Sequence, residues 1–180
     1  MKVKRILTFV IIALVIAAVA APAIFGQSAK PPRTLDQKIF KSIAKLPNYG
    51  VYDHISFERN GDTVTLSGKV YSLGTIRAAE QAVKDIDGVG RVVNKIEMLP
   101  PSPYDDRIRR SVFRAFAERG LSRYLWEVGP EVRIIVENGR ITLEGYVNNS
   151  GDRDLAGVIA NTIPGVFEVK NNLKLGKDSI

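Results

Sequence analysis

Residues 64–98 read V-T-L-S-G-K-V-Y-S-L-G-T-I-R-A-A-E-Q-A-V-K-D-I-D-G-V-G-R-V-V-N-K-I-E-M. Residues 141–175 read I-T-L-E-G-Y-V-N-N-S-G-D-R-D-L-A-G-V-I-A-N-T-I-P-G-V-F-E-V-K-N-N-L-K-L. A constant offset of 77 aligns the two without a gap. Leu66 meets Leu143, Gly68 meets Gly145, Val70 meets Val147, Gly74 meets Gly151, Gly88-Val89 meet Gly165-Val166, and Asn94 meets Asn171. Self-similarity held in register at glycine and turn positions marks a chain built from repeated structural units.

Working outward, each copy reads as helix, strand, strand, helix, strand. The first helix of copy one places Leu35, Ile39, Ile43 and Leu46 at helical spacing, opened by a Thr34/Gln37 capping box. In copy two Ser102 caps, Pro103 takes the first helical position, and Ile108, Val112, Ala115 and Phe116 form the apolar stripe, with Gly120 as the stop. Two strands come next in each copy, at 55–59 and 63–70 and again at 132–137 and 140–147. Asn60-Gly61 and Asn138-Gly139 supply hairpin turns, because both residue types tolerate positive φ. Val64, Leu66 and Val70 alternate with Thr63, Thr65 and Lys69, as a strand with one buried face requires.

The second helices carry Ile76, Ala79, Val83 and Ile86, and Leu155, Val158, Ile159 and Ile163. Gly88 and Gly165 fall where a left-handed residue would close a Schellman-type helix end. The last strands alternate Val92, Asn94, Ile96, Met98 and Val169, Asn171, Leu173, Leu175, with the asparagine amides expected to satisfy nearby backbone groups. The fold class is therefore α+β: two tandem two-layer α/β sandwiches, each with a three-stranded mixed sheet whose strand order stays open. The expected domains span 34–99 and 103–175, with Pro100, Pro101 and Pro103 at the boundary. Modules this small have thin cores and are expected to pack on each other or on a partner.

Ahead of the repeats, Lys2, Lys4 and Arg5 precede an apolar run from Ile6 to about Ala23 that ends in small residues. Residues 1–26 thus have the layout of a secretory signal, with Ala18-Val19-Ala20 and Ala21-Pro22-Ala23 as possible exits. The alternative is a retained membrane anchor, since Ile6 to Phe25 is long enough to span a bilayer. Either reading exports the two repeats, and residues 27–33 form a linker. The net charge of +7 sits mostly in this leader. Residues 34–99 hold 9 basic and 8 acidic residues, and 103–175 hold 11 and 10, so the folded part lacks the basic footprint of a nucleic-acid binder. With no Cys and one His, neither a disulfide framework nor a cysteine-ligated metal is available, and a Ser-His-Asp triad has few parts to draw on.

The pattern V-T-L-S-G-K-V, a helix, then D-G-V-x-x-V-x-N-x-I resembles the BON domain, and I-T-L-E-G-Y-V, a helix, then P-G-V-F-E-V-K-N-N-L resembles it equally. The resemblance implies exported, tandem, non-enzymatic modules of the periplasm and cell envelope. It implies phospholipid binding and support of envelope integrity under osmotic stress, with no catalytic residues and no cofactor. The segment 121–130 of the second copy departs most from the first.

One cluster stands out as a candidate site. Arg107, Arg110 and Arg114 fall on one side of the first helix of copy two, with Tyr124 and Trp126, the chain's one tryptophan, close behind. Guanidinium groups pair with phosphate, and Tyr and Trp favour a membrane interface, so this set is the expected lipid-binding face. The competing reading is a solvated helix face partly neutralised by Asp105, Asp106 and Glu118. A second functional reading is an adaptor in which a sheet or the groove between modules recognises an envelope protein. His54 is expected as a surface or cap residue, Tyr49, Tyr52 and Phe57 as packing groups, and Gly88-Val89-Gly90 lacks the context of a dinucleotide site.

Overall fold

The computed structural model describes residues 33–125 and 129–176. Expectations for residues 1–32, the signal or anchor and most of the linker, lie outside that range, as does Trp126. The first module runs α1 (Leu35–Ala44), β1 (His54–Asn60), β2 (Thr63–Val70), α2 (Leu73–Lys84) and β3 (Arg91–Met98). The second runs α3 (Pro103–Glu118), a 3-10 turn at Ser122–Tyr124, β4 (Val132–Glu137), β5 (Arg140–Val147), α4 (Ser150–Asn161), β6 (Glu168–Asn171) and β7 (Lys174–Leu175). Each sheet has its second strand in the middle, antiparallel to the first and parallel to the last. This settles the strand order. Thr63 lies beside Arg91 and Arg140 beside Glu168, so both parallel pairs have the same register. β7 continues that register beside β5 after a break at Asn172 and Leu173.

The caps form as the sequence requires. Thr34 and Gln37 exchange the two bonds of a capping box, and Ser102 accepts from the Asp105 N–H ahead of Pro103. One apolar cluster gathers Ile39, Ile43, Val64, Leu66, Val70, Ala79 and Val83, and a second gathers Val112, Phe116, Ile134, Ile141, Leu143 and Ile159. The repeated asparagines are clips. Asn94 donates to the Ile76 carbonyl and accepts from the Ile96 N–H, and Asn171 does the same with Arg153 and Leu173, tying each second helix to the last strand.

Four local expectations are corrected. In the first hairpin Asn60 pairs with Thr63, so the turn is Gly61-Asp62, with Gly61 at φ 63°; the second turn is Asn138-Gly139, both at positive φ. The two Asn-Gly pairs are therefore one step out of phase. Gly88 and Gly165 do not close the helices. Each is the third residue of a separate turn, in which Val89 N–H donates to Ile86 and Val166 N–H to Ile163. On α4 the inward residues are Ala156, Ile159 and Ala160, while Leu155 and Val158 face outward. Met98 and Leu175 are also exposed, each at the end of its strand.

The modules join along the outer edge of β4. The Val51 carbonyl, just ahead of β1, accepts from the Ile134 N–H at 2.7 Å, and Arg133 donates to the Gly50 carbonyl at 2.6 Å while stacking 4.2 Å from the Tyr49 ring. Tyr52 packs edge-on to Phe113, and Lys69 pairs with Glu137 at 2.5 Å. Asp53 fixes the joining segment by accepting from Gly50 and Tyr71 N–H groups.

The matched Gly68 and Gly145 are needed for close approach. A Cβ at Gly145 would stand 1.9 Å from the Glu131 carbonyl oxygen, and one at Gly68 2.1 Å from that of His54, both at positive φ. Gly145→Ala is expected to lower unfolding free energy by about 3 kcal/mol, from strain plus a displaced strand. Gly61→Ala, at positive φ with open space around it, should cost about 1 kcal/mol. Urea unfolding of the two variants checks the order.

Candidate functional site

The apolar stripe of α3 decides which way its arginines point. Ile108, Val112 and Phe116 face the sheet, and at 3.6 residues per turn Arg107, Arg110 and Arg114 fall within an arc of about 60° on the opposite side. All three are exposed, and among the described residues none of them forms an ion pair. One flank of the helix meets the first module through Asp106 and Phe113; the other carries Tyr104, which stacks on Phe167.

Two of the three acids expected to neutralise this face are turned away from it, while Glu118 is exposed on the same side of the helix, one turn beyond Arg114. Asp105 is buried, its carboxylate accepting the Asn138 and Gly139 N–H groups of the β4–β5 turn at 2.9 and 2.8 Å. Asp106 accepts from Arg109 at 2.6 Å and from the Tyr71 hydroxyl at 3.1 Å. Arg109, beside the ridge in sequence, belongs to the interior: it also donates to the Val136 carbonyl and sits over the Tyr71 ring. The adjacent Asp105-Asp106 and Arg109-Arg110 pairs therefore each split between an inward and an outward role. A side-chain anchor to a β-turn and a guanidinium that covers a strand edge depend on tertiary contacts, so no local pattern announces them.

Tyr124 requires correction as a surface residue. It is 1 % exposed, its ring is in the second core, and its hydroxyl donates to Asp152 at 2.6 Å and accepts from the Asn148 N–H at 3.0 Å. It has no free edge to insert into a bilayer. Arg123 pairs with Asp152 over the Tyr124 ring. The structure thus brings together Arg107, Arg110 and Arg114, separates Tyr124 from them by burial, and does not describe Trp126.

A second feature lies between the two modules. A cleft of about 740 Å³ runs between Thr34, Asp36, Gln37, Phe40 and β1 on one side and Glu144, Tyr146, Asn172 and Lys174 on the other. His54 stands in it, 4.0 Å from Glu144. Among the described residues no group of His, Asp and Glu has the makings of a metal site, and no helix is long and apolar enough to cross a membrane.

The described residues thus form two α+β modules in tandem, joined through a strand edge. A family model described as BON domain matches residues 34–100 and again 104–177, and the chain belongs to that family. Family modules are in general non-catalytic and typical of the periplasm and envelope. No curated protein matches the sequence. Among solved structures, CdsD, a structural protein of the Type III secretion system of Chlamydia trachomatis, is similar at 15% identity, over 79% of this chain and 92% of that one, with a TM-score of 0.33. The C-terminal domain of the same protein is similar at 14% identity over 82% and 100%, again with a TM-score of 0.33.

Burial holds the His54 imidazole below its ordinary pKa, aided by Arg133 and Lys174 and opposed by Glu144. A depressed folded pKa means that protonation favours the unfolded chain. The stability this group contributes is therefore present above its unfolded pKa near 6.5 and is lost as pH falls through the lower folded value. Below pH 6.5 the unfolding free energy of wild type is expected to fall more steeply than that of His54→Gln, as measured by urea titrations across that range.

Proposed function

We propose that the chain is an exported, non-enzymatic envelope protein that binds anionic phospholipid surfaces through the outer ridge of α3 and supports envelope integrity under osmotic stress. The observation that carries this reading is the ridge itself, three arginines on one exposed face against the single acid Glu118. Arg107, Arg110 and Arg114 point outward with no ion-pair partner among the described residues, while Asp105 and Asp106 are committed to the hairpin turn and to Arg109. Forked guanidinium donors suit phosphate oxygens, and three of them along a helix can span neighbouring head groups. Trp126, in the segment between α3 and β4, is the proposed interfacial side chain; Tyr124 has no part in it. The charged start and apolar run of residues 1–26 act as the export signal or as a tether to the inner membrane.

Each arginine near an anionic surface contributes about 1 kcal/mol. The triple variant Arg107→Ala, Arg110→Ala, Arg114→Ala is therefore expected to lose vesicle affinity on the order of a hundredfold. Flotation with phosphatidylglycerol vesicles at two salt concentrations measures this, and wild-type binding should weaken as salt screens the attraction. Equal binding by wild type and variant would discard the ridge as the site.

A further inference from the structure

The duplication provides its own control. In the second module the outer edge of β4 is covered twice, by the Val51 carbonyl at the Ile134 N–H and by Arg109 at the Val136 carbonyl. With the 77-residue offset, the equivalent groups in the first module are the Phe57 N–H and the Arg59 carbonyl on β1. The ladder to β2 alternates, and Ile55 sends its N–H outward to the Tyr49 hydroxyl at 2.9 Å, so Phe57 and Arg59 also present their main-chain groups outward. Among the described residues nothing bonds to them there. β1 has no proline and no bulge, and its seven residues run in continuous register.

This edge opens into the 740 Å³ cleft, whose far wall is the outer face of the second sheet. The side chains along it divide by chemistry. Phe40, 43% exposed, and Phe57 make an apolar strip on the α1 side. On the far wall Glu144 accepts from Asn172 and faces His54, and at the α1 end Asp36 is paired with Arg59. Lys174 is the charge in the cleft without an ion-pair partner among the described residues.

We propose that this cleft binds an extended segment of a partner protein by strand addition to β1, and that the segment alternates apolar residues with carboxylates. Its main chain bonds to Phe57 and Arg59 as Val51 bonds to Ile134. Because side chains alternate across a strand, every second residue packs on Phe57 and Phe40, and those between face the second module, where a carboxylate meets Lys174. The ridge on α3 takes no part, so this site is independent of lipid binding.

The test uses the full chain in non-ionic detergent and an acetylated, amidated heptapeptide alternating glutamate and valine. Peptide binding should slow amide hydrogen exchange at Phe57 and Arg59. N-methylation of the peptide's edge-facing amides should abolish it. Lys174→Glu should weaken the glutamate peptide about fivefold and strengthen a lysine–valine counterpart. The triple arginine variant should bind as wild type does. Absence of protection at Phe57 and Arg59, indifference to N-methylation or to Lys174→Glu, or a loss in the triple arginine variant would each overturn the proposal. So would a dimer in sedimentation whose Phe57 and Arg59 amides are already slow without peptide, since the edge would then be filled by a second copy.

Discussion

An exposed strand edge has to be paired, covered or made unattractive, and the covering of β4 is the constraint around which the two modules are organised. Val51 reaches Ile134 from a tight turn ahead of β1, closed by the Asp53 N–H to the Gly50 carbonyl and held by the Asp53 carboxylate bonding the Gly50 and Tyr71 amides. Arg133 then draws the Gly50 carbonyl and the Tyr49 ring onto the outer face of the second sheet. These contacts give two thin cores a common wall. β4 is buried along nearly its whole length as a result, Arg133 and Ile135 on its outer face included.

The same logic distributes charge on α3. Arg109 is drawn inward by a carbonyl, a carboxylate and an aromatic face that together replace its water, although its Nε finds no partner. Asp105 serves the hairpin turn on the other side of the core. Once these two are committed, the helix is left with a basic outer ridge that the composition of the second module, 11 basic and 10 acidic residues over 103–175, does not reveal. Net charge over a module and charge over one of its faces are separate quantities, and it is the face that a membrane meets.

Most of the architecture was legible because repetition restates it. The offset of 77 located the strands, the close-approach glycines and the asparagine clips, and capping chemistry marked Thr34 and Ser102, all of which depend on local chemistry or on a two-residue period. What escaped were features set by contacts distant in sequence. The phase of α4 turned out to favour the small Ala156 and Ala160 over Leu155 and Val158, because helix and sheet pack closely there and Asn171 needs access to Arg153. The two Asn-Gly pairs looked equivalent, yet only the second occupies both turn positions. Tyr124 looked like an interfacial ring because it follows the arginines of α3 and tyrosine favours a boundary between water and apolar matter; in the fold its hydroxyl is enclosed by Asp152 and Asn148. Strand order had no local signal and needed the parallel pairing of β2 with β3.

The last strand of the second module is broken at Asn172 and Leu173, where Leu173 turns into the core and Asn172 reaches across to Glu144. Its counterpart β3 runs eight residues unbroken. The interruption leaves no long straight rail of amides and carbonyls at that end of the molecule, only fragments of four and two residues. Such a rim offers a poor template for runaway self-association, so the chain can be crowded at a surface without seeding fibrous aggregates from this edge.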